Sequence, residues 1–135
     1  MSSVYVRVGL AGESYALPVQ HVTETAEACG IAPVPGAPER VVGVCNLRGE
    51  LLPVFDLAGV LDLETRATGE RLVVVQHGER RAGLVVDEVD GVAPLAGPTE
   101  DAEPELLAGA ALCGGALVGI LDVTRLLDKL ARESP

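Results

Sequence analysis

The chain has 135 residues, 48% of them hydrophobic, which suffices for one ordinary domain with a real core. Its net charge of -10 argues against binding to nucleic-acid phosphates or to an anionic membrane surface, and its 2% aromatic content leaves little to stack on a base or sugar. No leader-like N-terminus and no window of about 18 uninterrupted apolar residues occurs. We therefore expect a soluble, cytoplasmic protein.

In chain order, the first predicted elements are short strands. Val4, Val6 and Val8 alternate with other residues at the period of two typical of half-buried strands, and YALPV, residues 15–19, continues that period. The valine-rich runs LVVVQ and GLVVDEV, residues 72–76 and 83–89, predict more buried strands. IAPVPGAPER and APLAGPTEDAEP, residues 31–40 and 93–104, are proline-rich and predict loops.

Two short helices are predicted, each beginning after an aspartate that can cap its first turn. Asp56 precedes Leu57, Val60 and Leu61. Asp122 precedes an apolar stripe with helical spacing, formed by Val123, Leu126, Leu127 and Leu130. We assign both aspartates to capping rather than to chemistry.

An internal repeat links these two regions. GELLPVFDLAGVLD aligns with GALVGILDVTRLLD at an offset of 66 residues, and GESYA aligns with GERRA at the same offset. The repeat predicts two copies of one β-rich unit, and two copies are too few for a solenoid. The pattern predicts an all-β protein of two similar five-stranded, SH3-like barrels packed side by side, over about residues 1–66 and 67–135, with strands free to exchange between the halves. Chance similarity between valine- and leucine-rich strands is the alternative.

The sequence contains no recognisable catalytic or metal-binding motif. The cysteines are odd in number and far apart, which favours buried small hydrophobes over disulfides or zinc ligands; they are Cys29, Cys45 and Cys113. His21 and His77 are isolated in the sequence and are assigned structural or solvated roles. Asp87 and Glu88 are adjacent carboxylates, but no other catalytic group accompanies them, so a solvated strand end is expected. We expect no metal, no cofactor and no catalysis.

The order of motifs resembles the bacterial chemotaxis coupling protein CheW and its related domains. The resemblance spans nearly the whole chain and is most specific between Ile31 and Leu57, where IAPVPGAP, NLRG and LPVFDL occur in that order. GLVVDEV and LVGILDV follow at the positions of the later strands. The resemblance implies a non-catalytic double β-barrel scaffold that joins the cytoplasmic tips of chemoreceptors to the histidine kinase CheA.

The seam between two barrels is a natural groove for a partner helix. By resemblance, the receptor-facing groove comprises Val41, Gly43, Asn46, Arg48, Gly49, Val86 and Val89. The kinase-facing strands are not assigned. Arg48 has two compatible roles, a local one on backbone carbonyls at the strand turn and one in receptor recognition, while Asn46 is more typical of a structural turn residue.

Three other functions remain open. One is a coupling domain for another output, such as pilus motility or a pathway unrelated to motility, and neighbouring genes would distinguish it. Another is a regulatory domain detached from a CheA-like kinase. An enzyme with a nucleophilic cysteine is disfavoured, because no catalytic cluster surrounds any of the three cysteines. We expect a monomer outside the receptor array.

Overall fold

The computed structural model describes residues 2–28, 30–64, 71–96 and 106–133. Its elements, in chain order, are β1 (Ser2–Leu10), β2 (Glu13–Pro18), a 3-10 turn (Val19–His21), β3 (Val22–Glu27), β4 (Val41–Leu47), β5 (Glu50–Asp56), α1 (Leu57–Val60), β6 (Arg71–His77), β7 (Arg80–Val86), β8 (Glu88–Ala96), β9 (Leu107–Cys113), β10 (Ala116–Leu121) and α2 (Val123–Glu133). The predicted all-β class is confirmed. Cys29 and the expected boundary between the halves, at about residue 66, lie outside the described residues.

The strands form two five-stranded sheets, and each sheet draws strands from both halves of the chain. Sheet A has the order β8-β1-β2-β10-β9, and sheet B has the order β3-β6-β7-β5-β4. The hairpin β1–β2 therefore lies beside the last strands of the chain, while β6–β7 lies beside strands of the first half. Two of the joins between the halves are parallel, β2 with β10 and β5 with β7, and two are antiparallel, β1 with β8 and β3 with β6.

The repeat places equivalent elements in equivalent surroundings. Both aligned segments form a strand followed by a helix, β5 with α1 and β10 with α2. Asp56 accepts a hydrogen bond from the Ala58 amide at 3.2 Å, and Asp122 accepts one from the Arg125 amide at 3.1 Å. Both predicted caps are confirmed, because capping depends on neighbouring residues alone.

The largest hydrophobic core, here called the central core, lies between the sheets and beneath α2. It includes Val6, Val8 and Leu17 from sheet A, Val73, Leu84 and Val86 from sheet B, and Leu126, Leu127 and Leu130 from α2. A smaller hydrophobic core packs on the other face of each sheet. Cys45 is buried in the core of sheet B, as predicted, and Cys113 packs half-buried against that of sheet A.

Two expectations about the second half need correction. Residues 93–96 belong to β8 and not to a loop, since Pro94 pairs in register with Val4 of β1. Proline is tolerated here because β8 is an edge strand of sheet A, paired with β1 on one side only. The run GLVVDEV divides at Asp87 into β7 and β8. Asp87 is not merely a solvated strand end, because its carboxylate accepts a hydrogen bond from the Ala11 amide at 2.9 Å in the β1–β2 turn.

Candidate functional site

The tip of the β4–β5 hairpin is formed by Arg48 and Gly49. Leu47 pairs with Glu50, so the loop has two residues, and both have positive φ, 54° at Arg48 and 87° at Gly49. Two positive φ values are typical of the type I′ turn that matches the twist of paired strands. The exposed Asn46 side chain accepts a hydrogen bond from the Gly49 amide at 2.9 Å, which fits the structural role expected for Asn46.

Arg48 carries a mostly exposed guanidinium held by one ion pair. Its Nη1 lies 2.8 Å from Glu24 Oε2, and the side chain of Arg48 is 80% exposed while that of Glu24 is 20% exposed. Glu24 lies on β3 and Arg48 follows β4, and these are the two opposite edge strands of sheet B. The pair therefore bridges the two edge strands of the sheet. An ion pair this exposed contributes about 0–1 kcal/mol, which leaves the guanidinium available to a partner.

Leu51 adds an apolar group beside this turn that was not among the predicted site residues. It lies directly opposite Asn46 in the β4–β5 register and is 76% exposed. Sequence reasoning missed it because an apolar run such as LLPVF does not show which alternate side chains face solvent. We call Glu24, Asn46, Arg48, Gly49 and Leu51 the Arg48 surface.

Gly43 serves the backbone of β4. A Cβ at this position would lie 2.1 Å from the Ala32 carbonyl oxygen. The close approach allows two backbone hydrogen bonds between Ala32 and Val44, at 2.8 and 2.9 Å, so that the proline-rich loop covers the edge strand. Gly43 therefore shapes the edge beside the Arg48 surface without a side chain of its own.

The valines of the predicted groove lie elsewhere. Val41 is 9% exposed and Val86 is fully buried, and both belong to the central core. Val41 pairs with Phe55, near the end of β5 remote from Glu50, and six residues of strand span about 20 Å. Val89 is half-buried on β8 and packs against the central core. The structure thus brings Asn46, Arg48 and Gly49 together at the hairpin tip and separates them from Val41, Val86 and Val89, while Gly43 lies between the tip and Val41 on β4.

The described residues contain no constellation suited to catalysis. A pocket of about 140 Å³ between β5, β7 and α2 is lined mainly by apolar groups, with Arg80 and Arg81 already ion-paired to Asp128 and Glu50. A shallow pocket of about 340 Å³ is lined by Ala11, Glu13, Asp62, Leu63 and Glu64. Neither pocket holds a nucleophile beside a base. No group of three or more metal-ligating side chains gathers anywhere in the described residues.

The pKa of Tyr15 is raised above its ordinary value. Burial, a hydrogen bond to Glu13 and the negative charge of Glu13 together raise the pKa of Tyr15 to about 12. The phenol donates to Glu13 Oε2 at 3.1 Å. This group is neutral at physiological pH, and it lies on sheet A, away from the Arg48 surface.

Comparison with known protein families assigns this chain to one of them. The protein-family model for the CheW-like domain matches residues 4–131, which include the strands of both sheets and nearly all of α2. The chain belongs to the CheW-like domain family. The resemblance seen in NLRG and its neighbouring motifs is thereby confirmed.

Named relatives of this CheW-like chain fall into two groups. Chemotaxis protein CheW of Helicobacter pylori is 30% identical over 129 residues, which cover 89% of this chain and 78% of the relative. Protein PilI of Pseudomonas aeruginosa is 38% identical over 93 residues, which cover 67% of this chain and only about half of PilI, 51%. Protein FrzA of Myxococcus xanthus is 36% identical over 97 residues, which cover 70% of this chain and 59% of FrzA.

The CheW-like fold is also matched by a solved structure. The crystal structure of the scaffolding protein TtCheW from Thermoanaerobacter tengcongensis superposes with a TM-score of 0.79 and 28% identity, covering 90% of each chain. The two five-stranded sheets therefore correspond to the paired SH3-like barrels of CheW. None of the helices in the described ranges is long and apolar enough to cross a membrane.

Proposed function

We propose that this chain is a non-catalytic adaptor that couples the cytoplasmic tips of chemoreceptors to a CheA-type histidine kinase in chemotaxis signalling. The observation that carries the proposal is the CheW-like match over residues 4–131. The absence of a catalytic constellation from the described residues is compatible with such a role. In this proposal the protein acts in the cytoplasm, at membrane-associated receptor arrays, as a monomer before it joins them.

The proposed receptor contact is centred on the Arg48 surface. The proposed partner element is a helix, and a helix binds through an apolar anchor combined with polar groups that fix its register. Leu51 supplies exposed apolar area and Arg48 supplies five hydrogen-bond donors in a planar fork. Gly43 and Gly49 support the surface through the backbone. In this proposal Val41 and Val86 support the groove from the core, and Val89 extends it toward sheet A.

The test is reconstitution with purified partners. The chain is titrated with a receptor-tip fragment, with a CheA-type kinase and with both, and the complexes are measured by analytical ultracentrifugation. We expect binary complexes with each partner and a ternary complex with both. Failure to bind either partner at concentrations up to 100-fold above those that saturate a chemotaxis CheW would contradict the proposal.

A second candidate function is coupling in a chemosensory pathway with another output, such as pilus motility. The 38% identity to PilI over 93 residues, higher than the 30% identity to CheW of Helicobacter pylori, favours keeping this candidate. Recovery of receptors and kinase from the native organism distinguishes the two, because the genes encoding them identify the pathway. Recovery of a kinase that lacks its own CheW-like domain would instead indicate a detached regulatory domain.

A further inference from the structure

Two histidines that are distant in sequence lie side by side in the fold. His21 ends the 3-10 turn before β3 and His77 ends β6, and their ring centroids are 5.2 Å apart with the ring planes at 62°. They are the only two histidines in the 135 residues. The two imidazoles, isolated from one another in the sequence, form a contact pair in the fold.

We propose that His21 and His77 form a binding site for a divalent transition-metal ion of the zinc and copper class. Imidazole nitrogen binds Zn²⁺ at about 2.0–2.1 Å, usually in tetrahedral geometry. Each ring centre then lies about 3 Å from the ion, and two rings on the same ion have centres about 5 Å apart. The observed centroid separation of 5.2 Å is compatible with two rings on one ion.

Hydrogen bonding prepares one ring for this role. His21 Nδ1 lies 3.3 Å from the Gln76 carbonyl oxygen. A carbonyl only accepts, so a neutral His21 donates from Nδ1 and keeps the lone pair on Nε2 for a metal. Metal-bound histidines commonly make this kind of outer hydrogen bond, which fixes the tautomer and the orientation of the ring. His77 is exposed, so its ring is free to turn toward the same ion.

The composition of the site limits its ligand and its strength. Imidazole favours Zn²⁺, Cu²⁺ and Ni²⁺ over Mg²⁺ and Ca²⁺, which prefer oxygen. No third histidine, cysteine or carboxylate joins the pair within the described residues. Two coordination positions are therefore left for water or for a side chain of another protein, and we expect binding in the micromolar range. The net charge of -10 favours the approach of a dication.

The test uses the untagged full chain, titrated with Zn²⁺ by calorimetry and followed by NMR of the imidazole nitrogens. We expect one ion per chain and a shift of the His21 Nε2 resonance, with Mg²⁺ producing neither. His77→Gln, at an exposed position, should weaken binding at least about tenfold, and His21→Gln should act similarly. The matched control is Glu79→Gln, which removes an exposed carboxylate from the same β6–β7 turn and should leave the affinity unchanged.

Three results would overturn the proposal. The first is equal zinc affinity in the wild type and His77→Gln. The second is binding without a shift of the imidazole resonances, since this would assign the ion to thiols or carboxylates. The third is an equal loss in His77→Gln and Glu79→Gln, since this would make the acidic turn responsible and the His pair a simple edge-to-face ring contact.

Discussion

The hairpins β4–β5 and β9–β10 occupy equivalent positions in the repeat and differ at their tips. Arg48–Gly49 has φ values of 54° and 87°, and Gly114–Gly115 has values of 59° and 83°, so the two turns share one backbone. Both hairpins expose a leucine just after the turn, Leu51 at 76% and Leu117 at 67%. The first tip adds Asn46 and an ion-paired Arg48, whereas the second has Leu112 and glycine at the same positions.

The comparison separates what the backbone requires from what the side chains add. Two positive φ values are met at no steric cost by the two glycines of the second hairpin. The first hairpin holds arginine in the left-handed region, where a residue with a Cβ is disfavoured by about 1 kcal/mol. The turn itself does not account for this arginine. Its exposed guanidinium, aimed across the sheet edges at Glu24, is the added feature, and the proposed receptor contact would account for it.

The largest expected effect concerns the edge beside the first hairpin. Gly43 and Gly109 are equivalent and have φ values of 155° and 156°. Gly43→Ala places a Cβ 2.1 Å from the Ala32 oxygen, so we expect a loss of about 3 kcal/mol in the free energy of unfolding, measured with urea. Gly114→Ala is the control, because its Cβ meets no atom within 4 Å and only the backbone penalty of about 1 kcal/mol applies. Equal losses in the two variants would show that the loop yields to the added methyl.

The two exposed leucines provide a matched pair for binding. Leu51→Ala should weaken binding to a receptor-tip fragment by about 1–2 kcal/mol, because it removes an apolar anchor beside Arg48. Leu117→Ala, at the equivalent position of the other hairpin, should leave that affinity unchanged. Both variants should keep the wild-type melting temperature, since both side chains are mostly exposed. Equal binding losses in the two variants would contradict a receptor contact centred on the first hairpin tip.

Converting the first tip toward the second isolates the backbone cost. Arg48→Gly and Arg48→Ala both remove the ion pair with Glu24, but glycine alone relieves the positive φ. We expect Arg48→Gly to be more stable than Arg48→Ala by up to about 1 kcal/mol in urea unfolding. Arg48→Gly should also be the more stable of the two variants at high salt, where the ion pair itself is screened. Lower stability of the glycine variant would mean that the turn is not strained by Arg48.

A further test concerns Tyr15, whose equivalent position in the repeat is Arg81. Because the pKa of Tyr15 is raised to about 12 in the fold, the neutral phenol contributes to stability at pH values below about 10, the ordinary pKa of tyrosine. This contribution is lost as the pH rises through about 10 to 12. Alkaline titration at 295 nm in Tyr5→Phe reports Tyr15 alone, because the chain has two tyrosines. Glu13→Gln should lower the midpoint. A midpoint near 10 in the parent variant would refute the raised pKa.

Local features of the fold were predictable from the sequence. Alternation at Val4, Val6 and Val8 and the capping positions of Asp56 and Asp122 depend on residues close in the chain. The repeat also indicated that equivalent segments form equivalent strands and helices. The exchange of hairpins between the sheets was left open, because strand pairing over long sequence separation follows from packing and not from local pattern.

The candidate site was less accessible to sequence reasoning. Asn46, Arg48 and Gly49 were identifiable from NLRG, a turn motif within an apolar run. The burial of Val41 and Val86 was not, since continuous apolar strands give no sign of which face meets the core. The contact of His21 with His77 and the bond of Asp87 to the Ala11 amide join residues far apart in the chain, and no local pattern signals either of them.

The measurement closest to the central claim pairs receptor binding with stability in Arg48 variants. Arg48→Ala should weaken binding to a receptor-tip fragment by about 1–3 kcal/mol while the melting temperature changes little, and Arg48→Lys should restore little, because lysine lacks the planar fork. Arg125→Ala is the control, since it removes the same charge from a 60% exposed arginine on α2 and should bind at full strength. Wild-type affinity in a folded Arg48→Ala protein would contradict the account and remove Arg48 from the site.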